Sequence, residues 1–278
     1  MHPHLIGILN LSPDSFSDGG RYTALDAALA HAEHLAQRGA ETIDVGAVSS
    51  NPDSEAVSPE LEIARLEPVL QGLAARGLTA AVDTFSAKTQ RWVAEQARRL
   101  QVTMLNDIRG FADRPPELLD AIRASPVDLV VMHAIQRGPA DRRVTDPTTV
   151  LEGIWRFFDT RLAELTAAGI PEDRLIVDPG MGFFLGATPG PSVAVLQALD
   201  RLRAHTGRPI YISVSRKSFL GALLGGRPVE DRGLATAITE LWAVVHHEVD
   251  YVRTHDPGAL HDALTLWSTL NGGPSRGL

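Results

Sequence analysis

The feature that most constrains this chain is a recurring short, unbroken apolar run closed by a polar side chain. Eight such runs occur: Leu5–Leu9, Thr42–Val45, Leu78–Val82, Val102–Leu105, Leu129–Met132, Leu175–Val177, Ile210–Val214 and Tyr251–Val252. Strands with one wet face alternate apolar and polar residues, whereas continuous apolar runs of strand length belong to strands covered on both faces, the habit of parallel sheets. The polar residues at the runs are Asn10, Asp44, Asp83, Asn106, His133, Asp178, Ser215 and Arg253 with His255. Between Asn10 and His255 they recur about every 35 residues, the length of a strand, a loop, a helix and a second loop.

Between the runs lies helical spacing. Leu25, Leu29, Ala32, Leu35 and Ala36 predict a helix over 24–38 that Gly39 stops. Ser86 opens a second, with Trp92, Val93 and Leu100 facing inward, and Ser192 precedes a third carrying Val195, Leu196, Leu199 and Leu202. No Pro/Ser-rich linker interrupts the 278 residues. The expected fold is therefore α/β, a single (β/α)8 TIM barrel over residues 1–271, with 272–278 as a frayed tail. A doubly wound sheet shares the alternation, but even spacing favours closure. Leu11–Gly20 and Ala134–Thr149 are longer than turns require, and loops of that kind after barrel strands are where lids are expected.

A formal net charge of −8 argues against nucleic acid or an anionic membrane as the main partner. The absence of cysteine excludes disulfide frameworks, thiol catalysis and Cys-bound zinc. No apolar run approaches the ~20 residues of a membrane span, and Met1–His4 lack a basic leader, so a soluble cytoplasmic protein is expected.

In a parallel barrel all strand ends open on one face, so the polar residues converge there despite their distance in sequence. Any one of them suits a turn cap; eight of eight suit a site. Ser215-Arg216-Lys217-Ser218 and Arg253-Thr254-His255 follow the seventh and eighth runs, the favoured phosphate position of this architecture, and predict an anionic ligand group. Asp178, before Pro179-Gly180-Met181-Gly182, either caps the turn or accepts hydrogen bonds from an amidine-like heterocycle edge.

The ordered set Asn10 to Gly20 (NLSPDSFSDGG), Val82-Asp83-Thr84, Asn106-Asp107-Ile108, Met132-His133, Asp178-Pro179-Gly180, Ser215-Arg216-Lys217-Ser218-Phe219 and Val252-Arg253-Thr254-His255-Asp256 resembles the dihydropteroate synthases over residues 5 to about 270. The resemblance implies a (β/α)8 enzyme of folate synthesis that joins 6-hydroxymethyl-7,8-dihydropterin diphosphate to 4-aminobenzoate and releases pyrophosphate. It implies Asn10 as ligand of a Mg²⁺ held by the diphosphate, and Asp83, Asn106, Asp178 and Lys217 around the pterin. Arg253 and His255, with Asn10 and Ser50, would grip the diphosphate. Asp83, Lys217, Arg253 and His255 would be catalytic, in a dissociative, SN1-like displacement. Ser12, Pro13, Asp14, Ser15 and Phe16 would close over the site, and Ser15, Phe16, Ser50, Phe183, Phe184, Leu185 and Ser218 would form the aminobenzoate pocket. A homodimer built on helices near the seventh and eighth strands is expected from the family.

Two segments depart from the family pattern. Asn51 stands where an arginine is usual, and Gly182-Phe183-Phe184-Leu185 replaces Gly-Phe-Gly-Lys. Both changes are similar to the sulfonamide-insensitive, mobile drug-resistance subgroup. Bulk at Phe184 and Leu185 would penalise a sulfonamide, which extends past the compact carboxylate of the natural arylamine, more than the substrate. A pterin- or folate-dependent methyltransferase needs the ring-binding Asp/Asn set but not the cations of the seventh and eighth strands, and the loss of arginine at Asn51 makes an inactive pterin-binding paralogue the remaining alternative.

Overall fold

The computed structural model describes residues 2–11, 21–48, 57–135 and 144–272, with 21–23 described in backbone only. Eight parallel strands follow one another: β1 (His4–Asn10), β2 (Thr42–Gly46), β3 (Ala80–Asp83), β4 (Val102–Asp107), β5 (Asp128–Met132), β6 (Leu175–Asp178), β7 (Tyr211–Ile212) and β8 (Tyr251–Thr254). Their order in the sheet is β6-β5-β4-β3-β2-β1-β8-β7, and a single bridge between Val177 and Ile210 closes the ring. This is the expected barrel. β7 is shorter than its apolar run suggests, with only two residues in the ladder against β8.

The helices are α1 (Arg21–Gln37), α2 (Pro59–Ala75), α3 (Ala87–Leu100), α4 (Pro116–Ala124), α5 (Pro147–Ala167), α6 (Pro189–Leu196), α7 (Leu199–Thr206), α8 (Ser218–Leu223), α9 (Gly233–His247) and α10 (Pro257–Leu270). Gly39 follows α1 with φ +101°, a left-handed conformation that favours glycine. Ser86 caps α3, its hydroxyl accepting the Thr89 N–H at 3.3 Å. The single helix expected after Ser192 is instead two, α6 and α7, separated at Gln197-Ala198. Pro189 begins α6 ahead of Ser192, and Ser192 is a buried member of α6 whose hydroxyl accepts the Gly182 N–H at 2.9 Å.

Two apolar layers explain why the runs are continuous. Outward strand residues such as Leu5, Ile43, Val82, Leu105, Val131, Val177 and Val252 pack under the helices in one large core. Inward residues Ile6, Ala81, Met104, Val130, Ile176 and Tyr211 fill the barrel as a separate cluster, with Tyr251 against it. No helix among the described residues is long and apolar enough to cross a membrane. The tail is described only to Gly272; residues 273–278 lie outside the described residues.

Candidate active site

The strand register brings the predicted residues together. Asp83 pairs with Asn106 across β3 and β4, Met132 pairs with Asp178 across β5 and β6, and the His133 N–H donates to the Asp178 carbonyl at 2.8 Å. A side-chain carbon at Gly46 would lie 3.6 Å from Asn10 Oδ1 and 3.7 Å from Asp83 Cβ, so Asn10 and Asp83 flank bare backbone at the ends of β1 and β3.

Arg253 is the electrostatic centre. Its Nε donates to Asp44 Oδ2 at 2.5 Å and one terminal nitrogen, Nη2, donates to Asp83 Oδ2 at 3.0 Å. Asp44 therefore departs from the expectation of a strand-end residue: it lies mid-strand in β2, 0% exposed inside the barrel, and serves Arg253. The planar fork suits Arg for two carboxylates in a way that the point charge of Lys does not. Arg253 is committed to the protein on two sides, its side chain 13% exposed, so any grip on a diphosphate would fall to its remaining nitrogen, Nη1.

Burial dominates the acidity of the neighbours. It pushes Asp83 up to about 7 against the opposing pull of Arg253, and Asp178 up to about 6 against the Gly180 N–H and Lys217. Burial likewise brings Lys217 down to about 8, with Asp178 and then Asp83 opposing. Lys217 acts electrostatically on both acids. The Asn106 Oδ1 oxygen is buried with no hydrogen-bond partner among the described residues, an acceptor whose desolvation a ligand N–H would offset.

The turn after β6 is built around glycine. Asp178 Oδ1 accepts the Gly180 N–H at 2.7 Å, so this carboxylate does cap the turn with one oxygen while the other has no partner among the described residues. Gly180 has φ +75°, and a Cβ there would sit 2.3 Å from the His133 carbonyl oxygen. His133 is turned into the protein, Nδ1 3.3 Å from the Pro179 carbonyl, and burial lowers its pKa to about 4. It supports the turn.

Phe184 is 6% exposed and lies beneath Lys217, whose Nζ is 4.9 Å from the ring centroid. With Ile108, Met132, Phe85, Ala134 and Phe183 it forms an apolar patch beside the acidic set. A Cβ at Gly182 would lie 3.5 Å from Ser218 Oγ and 3.2 Å from Lys217 Cδ, which places the β6 turn against the start of α8. Leu185 is a correction: at 0% exposure it belongs to the main core under the helices and offers no surface to a ligand. Ser12, Pro13, Asp14, Ser15, Phe16, Ser50 and Asn51 lie outside the described residues.

At the ends of β7 and β8, Ser215 Oγ and His255 Nδ1 are 2.9 Å apart. Burial and the cations Arg253, Arg216 and Lys217 lower His255 to about 4, so the ring is neutral at physiological pH. For a divalent cation, no group of three or more His, Asp or Glu side chains stands ready among the described residues. Asn10 offers one hard oxygen, which fits an ion such as Mg²⁺ that uses few protein ligands and several phosphate and water oxygens.

Sequence reasoning did not assign a role to Asp44, Thr254 or Glu240. The signal for Glu240 was an acid on the inward stripe of α9 with Thr236, Ala243 and Val244.

A family model described as "Pterin binding enzyme" matches residues 6–255. The chain is 47% identical to the type-2 dihydropteroate synthase of Escherichia coli over 266 residues, covering 96% of this chain and 95% of that protein. Among solved structures it resembles Xanthomonas albilineans dihydropteroate synthase with 4-aminobenzoic acid, at 34% identity and a TM-score of 0.83 over 98% of this chain and 94% of that one. It also resembles the Anaplasma phagocytophilum dihydropteroate synthase with bound 6-hydroxymethylpterin-monophosphate, at 31% identity and a TM-score of 0.84 over 97% and 100% of the two chains. With the barrel closed, the acid and amide set at its mouth and cations beside them, the chain belongs to the dihydropteroate synthases, transferases of the pterin-binding family.

Proposed function

We propose that this chain condenses 6-hydroxymethyl-7,8-dihydropterin diphosphate with 4-aminobenzoate, giving 7,8-dihydropteroate and pyrophosphate, in the cytoplasm. The observation that carries the reading is the set of acceptors at the barrel mouth: Asn106 Oδ1 without a partner among the described residues, the second Asp178 oxygen and Asp83, with Lys217 acting electrostatically on both acids. An aminopyrimidinone edge supplies the matching N–H groups. Ligand donors and positive charge arriving there draw both acids to their ionised forms.

An arylamine is a weak nucleophile, so the barrier falls mainly by stabilising the departing diphosphate and the carbon it leaves. Neutral His255 donates a hydrogen bond to the growing negative charge, and Arg253 Nη1 and the Lys217-Ser218 turn add to it; a preorganised donor of this kind is typically worth ~3–4 kcal/mol at the transition state. Asp83 and Asp178 have the sign to stabilise positive charge spreading through the pterin ring, which favours an SN1-like displacement. Asn10 would supply one oxygen to a Mg²⁺ arriving with the diphosphate, and that ion, when bound, would neutralise phosphate charge. The apolar patch of Phe183, Phe184 and Phe85 suits the arylamine ring, with Ser218 for its carboxylate. The cations at β7 and β8 favour this reading over a methyl transfer, which has no diphosphate to hold.

The test is release of pyrophosphate by the whole chain with Mg²⁺, both substrates present, then each alone. Release coupled to dihydropteroate formation supports the reading, and none with both substrates rejects it. With 4-aminobenzoate withheld, slow pyrophosphate release and a water adduct of the pterin are the mark of the dissociative step; their absence rejects the SN1-like displacement.

A further inference from the structure

Resting on the reading that His255 meets the leaving diphosphate, the structure assigns a positioning role to Ser215, with Thr254 behind it: together they hold His255 as the neutral tautomer whose proton sits on Nε2. A hydroxyl has one proton and two acceptor positions. Ser215 Oγ accepts the His255 backbone N–H at 3.1 Å and the Thr254 hydroxyl at 3.4 Å. Both acceptor positions are then used, and the single Ser215 proton is directed to His255 Nδ1 at 2.9 Å. If Nδ1 carried the proton, Ser215 would have to accept three hydrogen bonds and its own proton would face occupied donors. Nδ1 is therefore the acceptor, which leaves the ring proton on Nε2, the nitrogen without a partner among the described residues.

Thr254 donates to Ser215 and accepts on its other side. Its oxygen receives the Asp256 N–H at 3.4 Å. Glu240 of α9, 1% exposed, also faces the Thr254 hydroxyl, though neither carboxyl oxygen sits in a formed hydrogen bond. Burial pushes the pKa of that carboxyl well above the usual carboxylate range. The sense of the chain runs from Thr254 through Ser215 to His255. One turn earlier on the same helix, Thr236 Oγ1 accepts the Arg216 N–H at 2.9 Å, so α9 holds the β7 turn.

The tautomer matters because His255 is crowded by Arg253, Arg216, Lys217 and His31 of α1, which with burial keep the ring uncharged. An uncharged ring helps an anion only through its N–H. With the proton on Nδ1 instead, Nε2 would present a lone pair to the diphosphate, and a donor would become a repulsive contact.

The experiment uses the full chain labelled with ¹⁵N-histidine. Two-dimensional ¹H–¹⁵N spectra are read for the ring of His255, identified among the 10 histidines by its loss in His255→Gln. The wild type is expected to show a protonated Nε2 and bare Nδ1, unchanged between about pH 8 and about pH 6. Ser215→Ala should give mixed tautomers and a kcat roughly tenfold lower, with KM for 4-aminobenzoate within about twofold. Thr254→Val, which removes the donor to Ser215 at nearly the same shape, should also give mixed tautomers. A wild-type ring protonated on Nδ1, or an unaltered tautomer in Ser215→Ala, would overturn the assignment, and an unaltered tautomer in Thr254→Val would remove Thr254 from it. The spectra need no substrate, so a chain that released no pyrophosphate would sink the catalytic reading while the tautomer was still decided on its own.

Discussion

At the scale of single residues, the site keeps acids where burial disfavours their charge. Asp178 ionises near 6 and Asp83 near 7 in the folded chain, against roughly 3.9 for an aspartate in an unfolded one. Between those values the folded state binds more protons than the unfolded state, so these groups make stability fall as pH rises from about 4 to about 7. Above that window their cost is constant. Asp178→Asn removes one such charge and should melt ~2–4 °C above wild type at pH 8, the gain vanishing near pH 4, while pyrophosphate release drops ~100-fold. A Tm difference independent of pH would contradict the assignment. The second residue-scale expectation concerns Phe184, which carries the bulk beneath Lys217. Phe184→Gly should lower the sulfamethoxazole concentration for half-inhibition at least about tenfold, an energy of roughly 1.4 kcal/mol, with a smaller change in KM for 4-aminobenzoate. Equal inhibition of the two proteins would take Phe184 out of the explanation, and Leu185, buried under the helices, is already out of it.

Among the elements, β7 is the weakest link in a ring that must carry the Ser215–Ser218 turn. It contributes two residues to the ladder with β8 and meets β6 through one bridge, supplemented by the Val177 N–H to the Pro209 carbonyl at 3.0 Å. β1, by contrast, pairs five residues with β2 and four with β8. Local opening follows the number of such bonds. Amide hydrogen exchange at residues 177, 211 and 212 should run at least about tenfold faster than at residues 43–45 of β2, and binding of a pterin phosphate should slow the seam most. Uniform protection around the barrel would count against it. The split of one expected helix into α6 and α7 also belongs to this scale. Val195, Leu196, Leu199 and Leu202 all face the core as their spacing requires, but periodicity does not register a break that keeps the face aligned.

For the whole molecule, the outer faces of α8, α9 and α10 leave large apolar side chains in the open: Leu223, Leu224, Leu234, Ile238, Trp267 and Leu270. α9 and α10 pack side by side, so their exposed residues are neighbours. A patch of this kind next to the seventh and eighth strands supports the expected homodimer. Leu234→Lys combined with Ile238→Lys should shift the sedimenting species from dimer to monomer without lowering Tm by more than about 2 °C, and a wild type that sediments as monomer would dispose of the idea.

Much of this was legible in sequence because barrel strands are buried on both faces and end in the same layer. The apolar runs marked all eight strands, and Asp83, Asn106, Asp178, Lys217 and His255 were found where those runs stop. What local pattern could not carry is the pairing of side chains far apart in the chain. Asp44 looked like one more strand end until Arg253, 209 residues away, proved to be its partner. Glu240 carried no signal beyond its place on α9, and only the fold shows that it is 1% exposed, with burial raising its pKa well above the usual carboxylate range. The sequence by itself determined the barrel, the mouth and the types of residue gathered there, since periodicity and residue type are local properties. Only the tertiary structure decided which carboxylates share Arg253, which side of Phe184-Leu185 faces the site and which hydroxyl stands against Nδ1 of His255, because hydrogen-bond partners and desolvation depend on closure of the ring.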